Sequence, residues 1–341
     1  MNKLNVGVIG CGSIAKYRHL PEYALNEHVN IAAVCDINED RAKEIAKQYH
    51  AKCYTNYEEL LADQEIAAVS VCTPNYLHAP VSIAALKAGK HVLCEKPMAT
   101  TKQEAEDMIE AAKLSGKKLM IAHNQRFVPS HRKAKEIIES GQIGKIFSFR
   151  TAFGHPGPES WSADGKDSWF FRKREAVMGA MGDLGIHKAD LIRYLLGEEV
   201  SEVAAFVETL AKEQTDVDDN AVCILKTESG IIGTLAASWS YNGKEDNSTI
   251  IYGEKGIIRL EDDPEYSLVV QYKNGEAVHY KLGAIQSNEE GGQSKSHVID
   301  HFVSSIVNDE EPAVTGLDGM KSLLVILAAF EAADSKKVVK I

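Results

Sequence analysis

The sequence predicts an α/β unit built on a parallel sheet, followed by an α+β unit with a mostly antiparallel sheet. Up to about residue 122, short runs rich in β-branched residues alternate with amphipathic stretches, as in a parallel sheet covered by helices on both faces. From Val200 to about Leu282, apolar and polar residues alternate between turn sequences, which is typical of antiparallel strands. The 341 residues suffice for two domains, which we expect to span 1–124 and 125–341.

The first unit contains clear helix signals between its apolar runs. One helix follows Asp36, in the segment NEDRAKEIAKQY. Another starts at Thr100 or Thr101, carries acidic residues early and ends at Gly116, as expected from helix capping. The predicted strands are LNVGVIG, IAAVCD, AAVSVCT, HVLCE and KLMIA.

The pattern changes after Pro129. A helix is predicted over 130–140, then a strand at IFSFRTAF, then a loop rich in Gly, Pro and Trp. Another helix is predicted around Asp183 to Leu196, before the antiparallel run. Two helices, near Gln293 to Val307 and Gly316 to Ala333, are predicted to close the chain.

Composition excludes several classes of partner. Lysine and arginine number 38 against 49 acidic residues, a net charge of −11, so we expect no nucleic acid and no anionic membrane as partner. The N-terminal sequence lacks the pattern of a signal peptide, and the apolar stretch Leu323 to Phe330 is too short to span a bilayer. Six cysteines without a C-x-x-C pair indicate buried thiols in a reducing cytoplasm.

A glycine motif, GCGSIA, follows the first predicted strand and opens a βαβ unit. Gly10 permits a tight turn, Gly12 lets the backbone approach a pyrophosphate, and Ala15 allows close helix packing. Asp36, at the end of the second strand, can accept hydrogen bonds from both ribose hydroxyls and repels a 2′-phosphate, which favours NAD over NADP without excluding NADP. The alternative is a glycine turn with a helix-capping aspartate. The expected cofactor contacts here are Gly10, Gly12, Ser13, Ile14 and Asp36.

A lysine lies just beyond the strand HVLC. The carboxyl ends of parallel strands face the ligand crevice of an open sheet, so Lys96 is predicted to meet the cofactor. Pro97 can fix an unusual backbone geometry, such as a cis bond, that aims Lys96 into the crevice. The alternative is a surface lysine before a helix.

Three polar residues recur at helical spacing in the second unit. Asp183, His187 and Asp190 stand at i, i+4 and i+7 and would share one face of a helix. An imidazole flanked by carboxylates suits a general base, because its pKa lies near neutrality and a carboxylate can fix its tautomer. The same set could ligate a metal, or belong to a capped helix with a solvated Asp190.

Four motifs together carry a resemblance to a known family. They are the glycine motif, the run Thr73–Pro74–Asn75 with His78, the segment AGKHVLCEKP, and the pattern G-D-x-G-x-H-x-x-D that begins at Gly182. In this combination the chain resembles the Gfo/Idh/MocA family of sugar and cyclitol oxidoreductases. The resemblance extends over essentially the whole chain, including the tail from Thr315 to Ala333.

The resemblance implies a Rossmann domain, an open-faced sheet domain, an active site between them and a C-terminal helix that returns to the first domain. It implies that Lys96 and His187 form the catalytic pair with Asp183 as partner, and that no metal takes part. Hydride passes between a secondary carbinol and the nicotinamide. Relatives cover the outer sheet face by pairing subunits, so a homodimer or homotetramer is expected. The residues implied to line the nicotinamide side are Thr73, Pro74, Asn75, His78, Glu95 and Lys96.

Substrate contacts are predicted from position along the chain. Asn124 and Arg126 follow the sixth strand and could reach the crevice, although Arg126 could equally pair with an acid at the domain hinge. Asp190 suits a second hydroxyl of a polyol. The aromatic loop from His155 to Arg172 suits the C–H faces of sugars, or packs its tryptophans on its own domain or on a neighbouring subunit. The expected substrate contacts are Lys96, Asn124, Arg126, His155, Asp183, His187 and Asp190.

An NAD-dependent dehydrogenase for a sugar, inositol or related polyol is the function that these features favour. One alternative is a phosphorylated or nucleotide-linked substrate, or glycoside cleavage through transient oxidation, but the only dense basic group, Lys166 with residues 172–174, is equally a solvated face. Another is a non-catalytic NAD(H)-binding regulator. The joint presence of Lys96, Asp183 and His187 argues against a regulator.

Overall fold

A six-stranded parallel sheet forms the first half of the computed structural model, which describes residues 3–283 and 295–341. The strand order is β3-β2-β1-β4-β5-β6, so the chain reverses its winding direction between β1 and β4 and opens a crevice at their carboxyl ends. The predicted Rossmann sheet is thereby confirmed. Its strands are β1 (Leu4–Ile9), β2 (Val29–Cys35), β3 (Lys52–Tyr54), β4 (Ala68–Val71), β5 (His91–Cys94) and β6 (Leu119–Ile121).

Helices connect these strands, and local capping explains where they begin. The Thr101 side chain accepts a hydrogen bond from the Glu104 amide while Glu104 bonds back to Thr101, and the helix ends at Gly116, which adopts a left-handed conformation. These bounds confirm the predicted helix. The helices are α1 (Leu20–Leu25, after a widened turn at Ala15–His19), α2 (Glu39–Tyr49), α3 (Tyr57–Ala62), α4 (His78–Lys87) and α5 (Lys102–Ser115).

Nine strands form a second sheet with the order β14-β13-β12-β11-β7-β10-β9-β8-β15. Every pairing described within it is antiparallel except β7 with β10. The predicted mostly antiparallel sheet is confirmed. The strands are β7 (Ile146–Gly154), β8 (Val200–Glu208), β9 (Asn220–Thr227), β10 (Ile232–Ser238), β11 (Thr249–Gly253), β12 (Gly256–Leu260), β13 (Leu268–Tyr272), β14 (Ala277–Tyr280) and β15 (Val339–Lys340).

Further helices lie in the second half of the chain. The predicted helix near Gln293 begins only at Val298, because His297 has a left-handed backbone (φ 66°) that a right-handed helix cannot include. Gln293 itself lies outside the described residues. The helices are α6 (Pro129–Glu139), α7 (Lys173–Ala176), α8 (Ile186–Leu196, after a widened turn at Met181–Gly185), α9 (Val298–Val307) and α10 (Gly316–Ser335).

Helix α10 lies against the first sheet. The Ile121 amide donates to the Val314 carbonyl at 3.1 Å, just before the helix begins. A side chain at Gly319 would place its Cβ 2.7 Å from Ile121, so glycine is required for this close approach. The last long helix therefore joins the two sheets.

A buried ion network connects the turn after β6 with α8 and α10. Arg126 donates from Nε and Nη2 to the two oxygens of Asp190 at 2.8 and 2.7 Å, and from Nη1 to Asp318 at 3.1 Å. The Ser322 hydroxyl donates to Asp190 at 2.9 Å. Asp190 is only 1% exposed, so its charge depends on these partners.

Within the described residues, no helix combines the length and the apolar character that a bilayer span needs.

We expect Arg126→Leu to lower the free energy of unfolding by about 3–5 kcal/mol, because it leaves the Asp190 carboxylate buried without its cation. Urea denaturation of the full chain measures the change. Arg174→Leu is the matched control: Arg174 pairs with Glu175 but is 80% exposed, so its loss should change stability by less than about 1 kcal/mol. Equal effects of the two substitutions would contradict the assigned role of Arg126.

Candidate active site

The glycine loop after β1 is built for close approach of another group. Gly10 has a positive φ of 91°, and a Cβ there would lie 2.4 Å from the Cys72 carbonyl oxygen. Around Gly12 the space is open, with no atom within 4 Å of an added Cβ. Ser13 and Ile14 form the first helical residues that follow. The loop therefore presents backbone at the carboxyl end of β1, where a dinucleotide pyrophosphate binds in this fold.

Asp36 connects the glycine loop to the loop after β2. Its Oδ2 accepts from the Cys11 amide and its Oδ1 from the Asn38 amide, both at 2.8 Å. The proposed capping role belongs to Asn38 instead, whose side chain accepts from the Arg41 amide. Arg41 lies 3.7 Å from Asp36, a neighbour that the sequence analysis did not single out. The carboxylate thus stands at the ribose end of the crevice beside a cation.

Part of the aromatic loop covers a cavity of about 710 Å³ above the glycine loop. The Ser13 hydroxyl donates to the Trp161 carbonyl at 2.9 Å, and Arg41 donates to Asp164 at 2.5 Å. Trp161 contacts Phe170 edge-on, with ring centroids 5.1 Å apart. The loop thus contacts both halves of the same chain. We call residues 158–164 the cover segment.

The loop after β4 is held by its own polar side chains. His78 places Nδ1 2.6 Å from the Pro97 carbonyl and Nε2 2.8 Å from the Thr73 carbonyl, and burial lowers the pKa of this imidazole. Asn75 donates to a carbonyl of α7 at 2.8 Å. Pro74 is half-buried, and the Thr73 hydroxyl is buried without a partner. His78 and Asn75 therefore support the crevice wall through backbone carbonyls.

Glu95 belongs to a buried hydrogen-bond chain. Its Oε1 lies 2.9 Å from Nε2 of His19, whose Nδ1 lies 3.0 Å from Ser70, and Tyr23 completes the chain at 2.8 Å. Burial alone would raise the pKa of Glu95, but His19 and Lys96 hold it at about 2. Glu95 is a buried anion behind the crevice wall. The sequence analysis missed its partner His19.

Lys96 joins the two halves of the chain at the crevice. Its ammonium donates to the Asp183 carboxylate and to the Asp183 carbonyl, each at 2.9 Å. The Trp239 indole donates to the other carboxylate oxygen at 3.2 Å. The peptide bond between Lys96 and Pro97 is cis. The predicted proximity of Lys96 and Asp183 is thus observed in the geometry.

His187 lies one turn beyond Asp183 and is 9% exposed. Its Nδ1 is buried without a partner. Burial lowers the pKa of His187 well below 6.5, and the positive charge of Lys96 lowers it further. The Phe153 ring lies 5.8 Å from His187 and 6.0 Å from His155, whose Nδ1 accepts from the Gly157 amide. The structure thus brings Lys96, Asp183, His187 and His155 to one crevice.

Asp190 requires a correction to the predicted substrate contacts. Its oxygens are occupied by Arg126 and Ser322, so neither Asp190 nor Arg126 offers a free group to a polyol. The hinge pairing considered for Arg126 is the one observed. Asn124 is only partly buried, with a buried side-chain oxygen that has no partner. Among the described residues, no three His, Cys, Asp or Glu side chains are arranged to hold a metal ion.

Two arginines of the basic group near the cover segment are already paired. Arg172 and Arg174 both donate to Glu175. A phosphorylated substrate would have to compete with this carboxylate, so these residues give no support to a phosphate site.

Trp239 is the main site residue that sequence reasoning missed. It is fully buried at the end of β10 and follows a run of small residues, Ala236–Ser238. A tryptophan that follows small residues on a predicted strand indicates a buried indole, and a buried indole N–H needs a hydrogen-bond acceptor. The sequence offers no indication of which carboxylate it would find.

Comparison with known proteins agrees with this geometry. A family model described as an oxidoreductase family with an NAD-binding Rossmann fold matches residues 4–123, and the GFO/IDH/MocA C-terminal domain matches residues 131–259. A levoglucosan dehydrogenase from Pseudarthrobacter phenanthrenivorans is 32% identical, over 81% of this chain and 78% of its own. A myo-inositol 2-dehydrogenase from Thermotoga maritima is 31% identical, over 99% and 98% of the two chains.

A solved structure shares the complete architecture. Levoglucosan dehydrogenase in complex with NADH and levoglucosan superposes with a TM-score of 0.85 at 29% identity, covering 100% of this chain and 99% of that one. This chain contains both matched domains, and it also has the glycine loop and the contact between Lys96 and Asp183. This protein therefore belongs to the Gfo/Idh/MocA family of NAD-binding oxidoreductases.

Proposed function

We propose that this protein is an NAD-dependent dehydrogenase that oxidises a secondary hydroxyl of a sugar, inositol or related polyol, or reduces the corresponding ketone. The observation that carries the proposal is that a partly buried lysine, held by Asp183, acts electrostatically on a buried histidine of lowered pKa at the carboxyl end of the parallel sheet. Relatives named as levoglucosan and inositol dehydrogenases support the substrate class.

The glycine loop fits the dinucleotide. Gly12 leaves open space where a Cβ would stand, and the adjoining cavity of about 710 Å³ is lined by Ser13, Asn38 and Arg41. Bound NAD⁺ supplies a hydride acceptor at its nicotinamide ring. Asp36 would accept from the ribose hydroxyls, in place of or beside its present backbone donors.

Lys96 and His187 have different roles at the substrate hydroxyl. Lys96 is held by Asp183 and can donate a hydrogen bond to the oxygen as it becomes a carbonyl. His187 can accept the hydroxyl proton, because the depressed pKa keeps the imidazole neutral at pH 7. Asp183 orients Lys96 and is itself oriented by Trp239. His155, whose ring lies 6.0 Å from that of Phe153, would contact another part of the substrate.

We also infer that two copies of the chain pair through the outer face of the second sheet. Phe206 and Val222 are directly opposite each other on β8 and β9, and they are 80% and 55% exposed. Ile224 continues the same face at 54% exposure. An exposed apolar face of this kind is typical of an association surface, and a second copy offers the same face in return.

We also infer a cytoplasmic location from the cysteines. All six have free thiols, and five are buried. Unpaired thiols are typical of a reducing compartment.

The first experiment is reduction of NAD⁺ or NADP⁺ at alkaline pH with inositols, aldoses, anhydrosugars and sugar acids. We expect His187→Ala and Lys96→Met to lower kcat by about 10²–10⁴-fold while NADH affinity stays near the wild-type value, because they remove the proton acceptor and the hydrogen-bond donor. Lys87→Met, an exposed lysine at the end of α4, is the matched control. Full turnover in either active-site variant would refute the assigned roles.

Gly12→Ala should weaken NADH binding by at least about tenfold, since the new methyl group occupies the approach of the pyrophosphate. The melting temperature of the free protein should stay unchanged, because no atom lies within 4 Å of the added Cβ. Fluorescence titration with NADH and thermal unfolding measure the two quantities. Gly10→Ala provides the contrast and should destabilise the fold. Unchanged NADH affinity in Gly12→Ala would place the cofactor elsewhere.

Val222→Asp combined with Ile224→Asp should convert the wild-type oligomer to monomer, because two carboxylates on the outer sheet face cannot be buried at an interface. Sedimentation equilibrium measures the mass. Leu114→Asp, at an exposed leucine of α5, should leave the mass unchanged. A wild-type protein that sediments as a monomer would end the pairing proposal.

A further inference from the structure

Buried polar atoms without partners concentrate in α8 and in the segments that contact it. Eleven such side-chain atoms occur in the described residues, and seven of them belong to the turn after β6, to α6, to α8 and to Asn247. Buried polar atoms are nearly always paired, and exceptions mark a functional demand or a site of buried water. The seven are both ring nitrogens of His123 and one atom each of Asn124, Gln125, His131, His187 and Asn247.

The two ring nitrogens of His187 have different surroundings. Nδ1 is buried without a partner, which leaves Nε2 as the nitrogen that the crevice can reach. A neutral imidazole accepts a proton at Nε2 only in the tautomer that carries hydrogen on Nδ1. The N–H at Nδ1 then needs an acceptor inside the protein. The chemistry of the base therefore depends on what faces Nδ1.

The neighbouring carboxylates are already committed. Asp183 is held by Lys96 and Trp239, and Asp190 is held by Arg126 and Ser322. Neither is free to serve as the partner of Nδ1.

His123 has the properties of the missing partner. It follows β6 at the carboxyl edge of the parallel sheet, is 1% exposed, and has no hydrogen bond on either ring nitrogen. Its Nε2 lies 3.9 Å from Asp190, which favours hydrogen on Nε2 and leaves Nδ1 as the acceptor. Burial lowers the pKa of His123 to about 4, so the ring is neutral and can accept.

Resting on the proposed function, we propose that His123 is a positioning residue for the general base: through one buried water it accepts the Nδ1 hydrogen of His187, and it thereby fixes the tautomer in which Nε2 takes the substrate proton. His123 does not touch the substrate in this arrangement. It acts through His187.

The charges around both rings are compatible with this arrangement. His187 faces cations from several elements, and these disfavour an imidazolium before the substrate proton arrives. His123 faces one carboxylate and several cations. The groups are Lys96, His123, Arg18 and Lys188 for His187, and Asp190, Arg126, Arg193 and Lys96 for His123.

The tautomer can be measured without turnover. Long-range ¹H–¹⁵N correlation spectra of the NADH-bound protein, labelled with ¹⁵N-histidine, report which nitrogen of each ring carries hydrogen. The His187 signals are assigned by their loss in His187→Gln. We expect hydrogen on Nδ1 in the wild type and a shift towards Nε2 in His123→Leu. Hydrogen on Nε2 in the wild type, or an unchanged tautomer in His123→Leu, would overturn the proposal.

Kinetics supply an independent measurement. His123→Leu should lower kcat at least about tenfold with little change in KM, since it removes part of the ~10²–10⁴-fold contribution of a general base. The acidic limb of kcat/KM should shift, because the substitution removes both the acceptor for the Nδ1 hydrogen and the charge by which His123 lowers the pKa of His187. His123→Gln restores an acceptor and should recover the wild-type limb. A wild-type kcat and limb in His123→Leu would count against the proposal.

His131→Gln is the matched control. This histidine is also fully buried with one unpartnered nitrogen, but its Nδ1 already bonds to the Gln125 carbonyl at 2.8 Å. The variant should lose thermal stability while it retains the wild-type His187 tautomer and pH limb. If the wild type oxidises no polyol, the proposed function fails, whereas the spectra still decide the role of His123.

Discussion

Two buried carboxylates on one helical segment determine how the halves of this molecule meet. Asp183 holds Lys96, which follows β5, and Asp190 holds Arg126, which follows β6. The segment is thereby fixed at two points to the carboxyl edge of the parallel sheet. Each carboxylate is less than a tenth exposed, so separation of either pair would leave a charge in a poorly hydrated place. The crevice geometry depends on these pairs.

The charged pair of Asp190 and Arg126 connects parts of the structure and leaves the crevice to other side chains. Asp190 and Arg126 satisfy each other and leave the crevice to groups between and beside them. His187 lies between the two carboxylates along the chain, yet neither carboxylate bonds to it. Burial, together with the charge of Lys96, therefore lowers the pKa of the ring and favours its neutral form, whereas a directly bonded carboxylate would have favoured the imidazolium.

Sequence reasoning placed Lys96 and the glycine loop at the ends of strands, because strand ends and glycine turns are local properties. The position of Lys96 follows from its place after a buried strand, and the glycine loop follows from the first βα turn. Which side chains pair with each other depends on the tertiary structure. The sequence therefore offered the pairing of Arg126 with an acid only as one of two alternatives, and it did not indicate the contact between Trp239 and Asp183. The prediction for Asp183, His187 and Asp190 assumed one regular helix, whereas the structure has a widened turn at Met181–Gly185.

The cover segment connects the two halves of the chain beside the cavity. It comes from the second half of the chain, yet it bonds to Ser13 and Arg41 beside the cavity of the first half. Entry or departure of a dinucleotide by this side requires both bonds to open. The side chain of Trp161 contacts His155 and Phe170, so one stretch of chain connects the cavity beside the glycine loop with the aromatic cluster near His155.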